Sequence, residues 1–183
     1  MVRLSRLLFI GLLAAAAAMA TTPVASAGPP GPTLPSGAQN IAVPNGNKVF
    51  LVGHATGVQI YNCVGGTWST TSTPRAVLVG NNDQFLADQV GGPTWQAKDG
   101  SKVVGTVVER ATVDPSAVPW LLLTAVATAG PEGDRLAATT YVQRVNTTAG
   151  LRPTSTCDPA VDKPAEIPYT ADNYFWKKTG GGA

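Results

Sequence analysis

The chain has 183 residues, with 13 Lys and Arg against 11 Asp and Glu, and 44% of it is hydrophobic. That is enough chain for one domain with a sizeable core and too little for several. Arg3 and Arg6 account for the formal net charge of +2, so the remainder is balanced, and it has no basic patch with interleaved aromatics to suggest a nucleic-acid partner.

Residues 1–27 read as a cleavable signal peptide. Arg3 and Arg6 form a positive start with no acid, and Leu7 to Ala20 is an uncharged apolar run, shorter than the roughly 20 residues a bilayer-spanning helix needs. Ala25-Ser26-Ala27 is an A-x-A cleavage site. No cysteine beside it offers a lipid attachment point, and the arginines are not adjacent, which favours the general secretory route. No later segment is long and apolar enough to span a membrane. Residues 28–38, with Pro29, Pro30, Pro32 and Pro35, are expected to be an extended linker. Residues 39–178 then form the secreted β domain, and 179–183 a flexible tail.

Within the domain the patterns are those of strands. Lys48–Gly53 is short and apolar, Val58–Cys63 alternates β-branched, polar and aromatic residues, and Arg75–Gly80 is a further apolar run. Asp99-Gly100 is the clearest hairpin signal, because both residues tolerate positive φ. It joins Thr94–Lys98 to Ser101–Val113, and a two-residue loop there sets Trp95 opposite Val104. Gly105 interrupts the second run and predicts a bulge. Trp120–Ala129 has the leucines and alanines of a buried helix. It reads as a core strand because the turn Gly130-Pro131-Glu132-Gly133-Asp134 and the Thr/Tyr/Val-rich stretch Arg135–Val145 follow at once. With 15 prolines and 20 glycines as punctuation, the expected fold is all-β: a single antiparallel β-sandwich or barrel-like domain.

Cys63 and Cys157 are the only cysteines. In an exported domain such a pair is expected as a disulfide, worth roughly 4–5 kcal/mol of unfolded-chain entropy for a closed loop of this length. Metal thiolates lack partners, since neither cysteine sits in a C-x-x-C motif and the chain has one histidine. The lone His54 rules out multi-imidazole metal sites, and a Ser-His-Asp triad built on it finds no G-x-S-x-G. At the end of an apolar strand it reads as a residue bonded to backbone, with a catalytic role as the alternative. Asp83, Asp88, Asp99, Glu109 and Asp114 are available for a carboxylate pair, although Asp99 belongs to its turn and Glu109 lies beside Arg110.

Gln59, Tyr61 and Cys63 share one face of a strand at a period of two. If Cys63 turns inward to reach Cys157, Gln59 and Tyr61 turn inward with it. They then form either a structural hydrogen-bond network or a small pocket that shows an amide and a phenol to a ligand. Trp95 and Trp120 are expected in the core, whereas Trp68 and Trp176 are left open as members of a stacking platform. Asn146-Thr147-Thr148 is a glycosylation sequon.

Gly57-Val58-Gln59-Ile60-Tyr61-Asn62-Cys63 resembles a stretch of the family catalogued as domain of unknown function 3455. So do Gly92-Pro93-Thr94-Trp95, Lys98-Asp99-Gly100-Ser101, Pro119-Trp120-Leu121-Leu122-Leu123, Gln143-Arg144-Val145-Asn146-Thr147 and Tyr169-Thr170-Ala171-Asp172 leading to Tyr174-Phe175. The resemblance implies a secreted single-domain protein and brings no activity with it. A dehydrogenase label carried by some fungal members finds no support here, where G-x-G-x-x-G and βαβ alternation are missing.

No catalytic residue, metal site or cofactor is expected from these patterns. The first functional reading is a non-catalytic extracellular binding module for a surface polymer, a small ligand or another protein, with Gln59, Tyr61 and His54 as candidate ligand-binding residues. The alternatives are an extracellular hydrolase or lyase with a carboxylate or Tyr/His site, and a structural component of the cell envelope.

Overall fold

The computed structural model describes residues 28–131 and 133–180. The signal peptide expected over 1–27 and the end of the expected tail lie outside the described residues. Ten strands follow one another: β1 Asn47–Tyr61, β2 Cys63–Val64, β3 Thr67–Trp68, β4 Thr73–Val79 and β5 Phe85–Gln89 come first. They are followed by β6 Thr94–Ala97, β7 Lys102–Ala111, β8 Trp120–Ala129, β9 Tyr141–Ala149 and β10 Ala165–Lys178. β4 to β10 form an antiparallel meander, and β1 closes it by pairing with β10 on one side and β4 on the other. The result is a closed eight-stranded barrel with no free sheet edge, so the all-β, barrel-like expectation holds. β2 and β3 form a small hairpin outside it.

Inward and outward positions alternate as a barrel demands. On β10, Tyr169, Ala171, Asn173 and Phe175 are buried, while Thr170 is exposed and Asp172 and Tyr174 are half-buried. The core includes Leu78, Ala87, Trp95, Val103, Leu123 and Val142. Trp95 meets Phe175 edge to face, with ring centroids 5.9 Å apart. A second cluster lies on the outer surface. There Ile41 of a 3₁₀ turn (Gln39–Ile41) and Ala38, which precedes it, cover Ala111, Trp120, Leu122 and Val145. Gln143 Nε2 donates to the Ile41 carbonyl at 2.8 Å and Asn40 Nδ2 to the Arg110 carbonyl at 2.8 Å, fixing this segment in place. The proline-rich stretch read as a linker therefore runs into the packing of the domain, with Ala38 fully buried. The same cover explains the continuous apolar run Trp120–Leu123, because both faces of β8 are buried there.

Several expected elements differ in extent. Lys48–Gly53 and Val58–Cys63 are parts of one strand, β1, which ends at Tyr61, so Cys63 belongs to the separate β2. The small residues Gly53, Ala55 and Gly57 of this strand are inward positions. At Gly57 a Cβ would lie 2.1 Å from the Arg75 carbonyl oxygen, so glycine permits the close approach of β4. The hairpin at Asp99-Gly100 has a three-residue loop: Gly100 N–H donates to the Ala97 carbonyl, Ala97 N–H donates to the Ser101 carbonyl, and Gly100 has φ +87°. Trp95 consequently faces Val103, one residue from the expected Val104. The strand expected from Arg135 begins at Tyr141, after a turn in which Leu136 is buried. The bulge at Gly105 is present, between Val104 and Gly105. β3 and β5 correspond to none of the expected strands, and β10 coincides in part with the family stretch Tyr169–Phe175.

Candidate functional site: the open end of the barrel

In a closed meander the connections alternate between the two ends. The β1–β4, β5–β6, β7–β8 and β9–β10 links share one end, and there the interior opens into a cavity of about 390 Å³. Its inner walls come from inward positions of the strands: Gln59 and Tyr61 of β1, Gln89 of β5, Trp95 of β6, Leu121 and Leu123 of β8, and Arg144 of β9. The rim is loop residues, among them Thr71, Ser72, Pro93 and Arg152.

Gln59 and Tyr61 sit where the strand pattern placed them, buried and facing inward. Gln59 is 1% exposed; its Oε1 accepts a hydrogen bond from Ser72 Oγ at 2.6 Å, and its Nε2 has no partner among the described residues. The Tyr61 hydroxyl donates to the Gly150 carbonyl at 2.7 Å. Gly150 has φ +79°, and a Cβ there would press on Tyr169 at 2.8 Å and Gln59 at 3.1 Å, so this loop crosses the cavity wall closely. The Cys63–Cys157 disulfide is formed, with Cα atoms 5.9 Å apart. It packs with Tyr61, Trp68, Ala165 and Ile167 and ties the β2–β3 hairpin to the loop before β10.

Sequence reasoning missed the buried charged residue of the cavity wall. Arg144 is 6% exposed, and its Nη2 donates to the Pro119 carbonyl at 2.8 Å while its Nε has no partner. Burial pushes its pKa below the ordinary value, opposed by the nearby Tyr169 and Tyr61 phenols. Arginine nonetheless stays a cation in proteins. The signal was obscured because Tyr141–Val145 is largely buried on both faces, which removes the polar/apolar alternation that shows which side is inside. Gln89 was also unmarked: its Oε1 accepts from the Tyr169 hydroxyl at 2.9 Å, and burial raises that phenol's pKa.

His54 does not join these groups. It is an even-numbered outward residue of β1, in mid-strand, with its side chain 44% exposed. Its partners are side chains, where backbone was expected: Nδ1 lies 2.6 Å from Asp172 Oδ1 and Nε2 2.7 Å from Asn81 Oδ1. The bonds to Asn81 and then Asp172 raise its pKa, since both stabilise the protonated ring. Asn146 of the sequon donates to the other Asp172 oxygen at 2.8 Å.

None of Asp83, Asp88, Asp99, Glu109 and Asp114 lines the cavity. Asp99 and Asp114 are taken up by hydrogen bonds from Ser101 and Ser116. Trp68, Trp95 and Trp120 are buried, and Trp176 is partly covered, with Gly31 lying against its indole. They form no exposed stacking platform. A wider depression of about 720 Å³ at the other end has a mixed rim that includes Asp99, Asp134, Arg135 and Lys177.

Fold and cavity together define a disulfide-stapled, eight-stranded antiparallel barrel that is open at one end into a largely apolar cavity with a few buried polar groups. Residues 78–177, more than half of the chain, match the family described as protein of unknown function (DUF3455), and the chain belongs to that family. The matched region carries Gln89, Trp95 and Arg144, whereas Gln59, Tyr61 and Cys63 precede it. No curated protein and no solved structure matches the chain.

Proposed function

We propose that this domain is a non-catalytic binding module, exported from the cell, that takes one small organic molecule into the open end of its barrel. Eight strands give an interior that either fills with side chains or holds one small ligand. Here it fills near Trp95 and Phe175 and stays open beyond them. The observation that carries the reading is the composition of that space. A cavity of about 390 Å³ combines apolar walls (Leu121, Leu123, Val118) with a few buried polar groups (Gln59, Tyr61, Gln89, Arg144), which is the make-up of small-molecule sites. The disulfide and the signal-like leader support export.

A neutral apolar fluorophore, N-phenylnaphthylamine, tests the cavity without involving charge. Saturable one-to-one enhancement is expected with the native domain, and its loss is expected in Val107→Trp, which fills the wall. The variant's fold is checked by its far-UV spectrum. No enhancement with the native domain, or equal enhancement in a folded Val107→Trp, would contradict the proposal.

A further inference from the structure

We infer that the ligand is an amphipathic carboxylate, its headgroup held by Arg144 and its apolar body laid along Leu121, Leu123 and Trp95. This rests on the small-ligand reading above and adds the chemistry of the molecule. The cavity wall includes three arginines, Arg110, Arg144 and Arg152, and neither Asp nor Glu. Both side-chain ion pairs among the described residues lie elsewhere, at His54–Asp172 and Arg75–Glu166. Arg144 is thus a nearly buried cation whose hydrogen bond goes to a neutral carbonyl. Placing a guanidinium there without a counter-charge is costly. A planar carboxylate matches the guanidinium fork, with two N–H donors meeting two oxygens.

The unpartnered donors lead to the same chemistry. Gln59 Nε2, Trp95 Nε1 and Arg144 Nε are buried in residues that line this cavity, and none has a partner among the described residues. All three are donors. The group that satisfies them must accept without needing to donate, and an ionised carboxylate does only that. A bare inorganic anion fits poorly, because Leu121, Leu123, Val107 and Val118 contribute apolar wall and offer it nothing. Arg110 and Arg152 are exposed at the rim, where like-signed charge draws anions toward the opening.

The test is calorimetric titration of the native, disulfide-bonded domain with octanoate, 1-octanol, octylamine and inorganic phosphate, each below any micelle-forming concentration. Octanoate is expected to bind at least about tenfold more tightly than 1-octanol, as a charge-assisted pair implies. Octylamine is expected to be weakest among the chain compounds, with phosphate undetected. Arg144→Met is expected to weaken octanoate about 10–100-fold and leave 1-octanol unchanged. Should Arg144→Met fail to fold, the exposed Arg152→Gln provides the second arm: octanoate weakens several-fold at low salt and less at high salt. Equal binding of octanoate and 1-octanol, or a preference for octylamine, overturns the carboxylate assignment and leaves the small-ligand reading standing. Phosphate binding without octanoate also overturns it, as does a folded Arg144→Met with undiminished octanoate affinity. Failure of all the chain compounds, together with N-phenylnaphthylamine, overturns both.

Discussion

Replacing Gln59 by leucine separates a structural amide from a ligand-facing one. In the native barrel, Gln59 makes one side-chain hydrogen bond, from the half-buried Ser72 hydroxyl, and holds a second polar atom buried without a partner. Leucine removes that unpartnered donor, whose burial costs about 1–3 kcal/mol. It also removes the Ser72 bond, worth about 0.5–1.5 kcal/mol, but the Ser72 hydroxyl is open enough to turn to water. The two changes oppose each other, and the first is the larger. Gln59→Leu should therefore be neutral or stabilise folding by up to about 2 kcal/mol. Urea unfolding at 25 °C measures it, and the double variant Gln59→Leu/Ser72→Ala isolates the pair's coupling. Octanoate affinity should fall at the same time, because an unpartnered donor of a cavity-lining residue is gone. Destabilisation beyond about 1 kcal/mol would refute the reasoning, since it would mean that the amide is fully partnered in the folded protein.

Four further outcomes follow from the packing and the charges. Reducing Cys63–Cys157, which spans 94 residues, should lower stability by about 2–5 kcal/mol in urea unfolding, and no free thiol should be found before reduction. Ile41→Ala should cost about 2–5 kcal/mol because Ile41 is fully buried under the barrel's outer face; a cost under about 0.5 kcal/mol would show that the segment is undocked in solution. His54, the one histidine, should titrate by NMR above the ordinary histidine value. Its stabilising contribution is then complete below that ordinary value and lost as pH rises through the raised one, and a midpoint below the ordinary value would contradict the bonds to Asn81 and Asp172. Asp99, lowered to about 2 mainly by the Ser101 hydroxyl and then by the Arg135 and Ser101 amides, contributes above the ordinary aspartate value and loses that contribution as pH falls through about 2. The acid-unfolding curve of Asp99→Asn should lack this component.

The sequence exposes the β architecture wherever one face of a strand is wet and the other dry, as in the arms of the Asp99-Gly100 hairpin. It conceals the architecture where that contrast fails. β8 and the start of β9 are covered from outside by Ala38 and Ile41, so Trp120 to Leu123 is apolar throughout and Arg144 has no alternation to show it facing in. β1 hides its length for another reason: Gly53, Ala55 and Gly57 look like a break in hydrophobicity and are the small residues that allow close packing against β4. Gln59 and Tyr61 were legible because a period of two carries direction along a strand. The inference from Cys63 reached the right orientation through a residue that lies past the end of that strand. His54, named with them as a candidate, is an odd number of residues from both and so lies on the other face. Closure into a barrel, which creates the cavity, depends on β1 pairing with both β4 and β10, and no local pattern encodes that.

The most direct measurement of the central claim, an organic ligand inside the open end of the barrel, is the response of the tryptophan indole N–H resonances in nitrogen-15-labelled protein to octanoate. The chain has four tryptophans, and Trp95 is the one lining the cavity. Saturable movement of the Trp95 signal, accompanied by the Arg144 Nε–H signal, with Trp120 and Trp176 unchanged, is the predicted result. Movement confined to Trp176, or four indole signals unmoved at octanoate concentrations that saturate calorimetric binding, would place the ligand elsewhere and contradict the account.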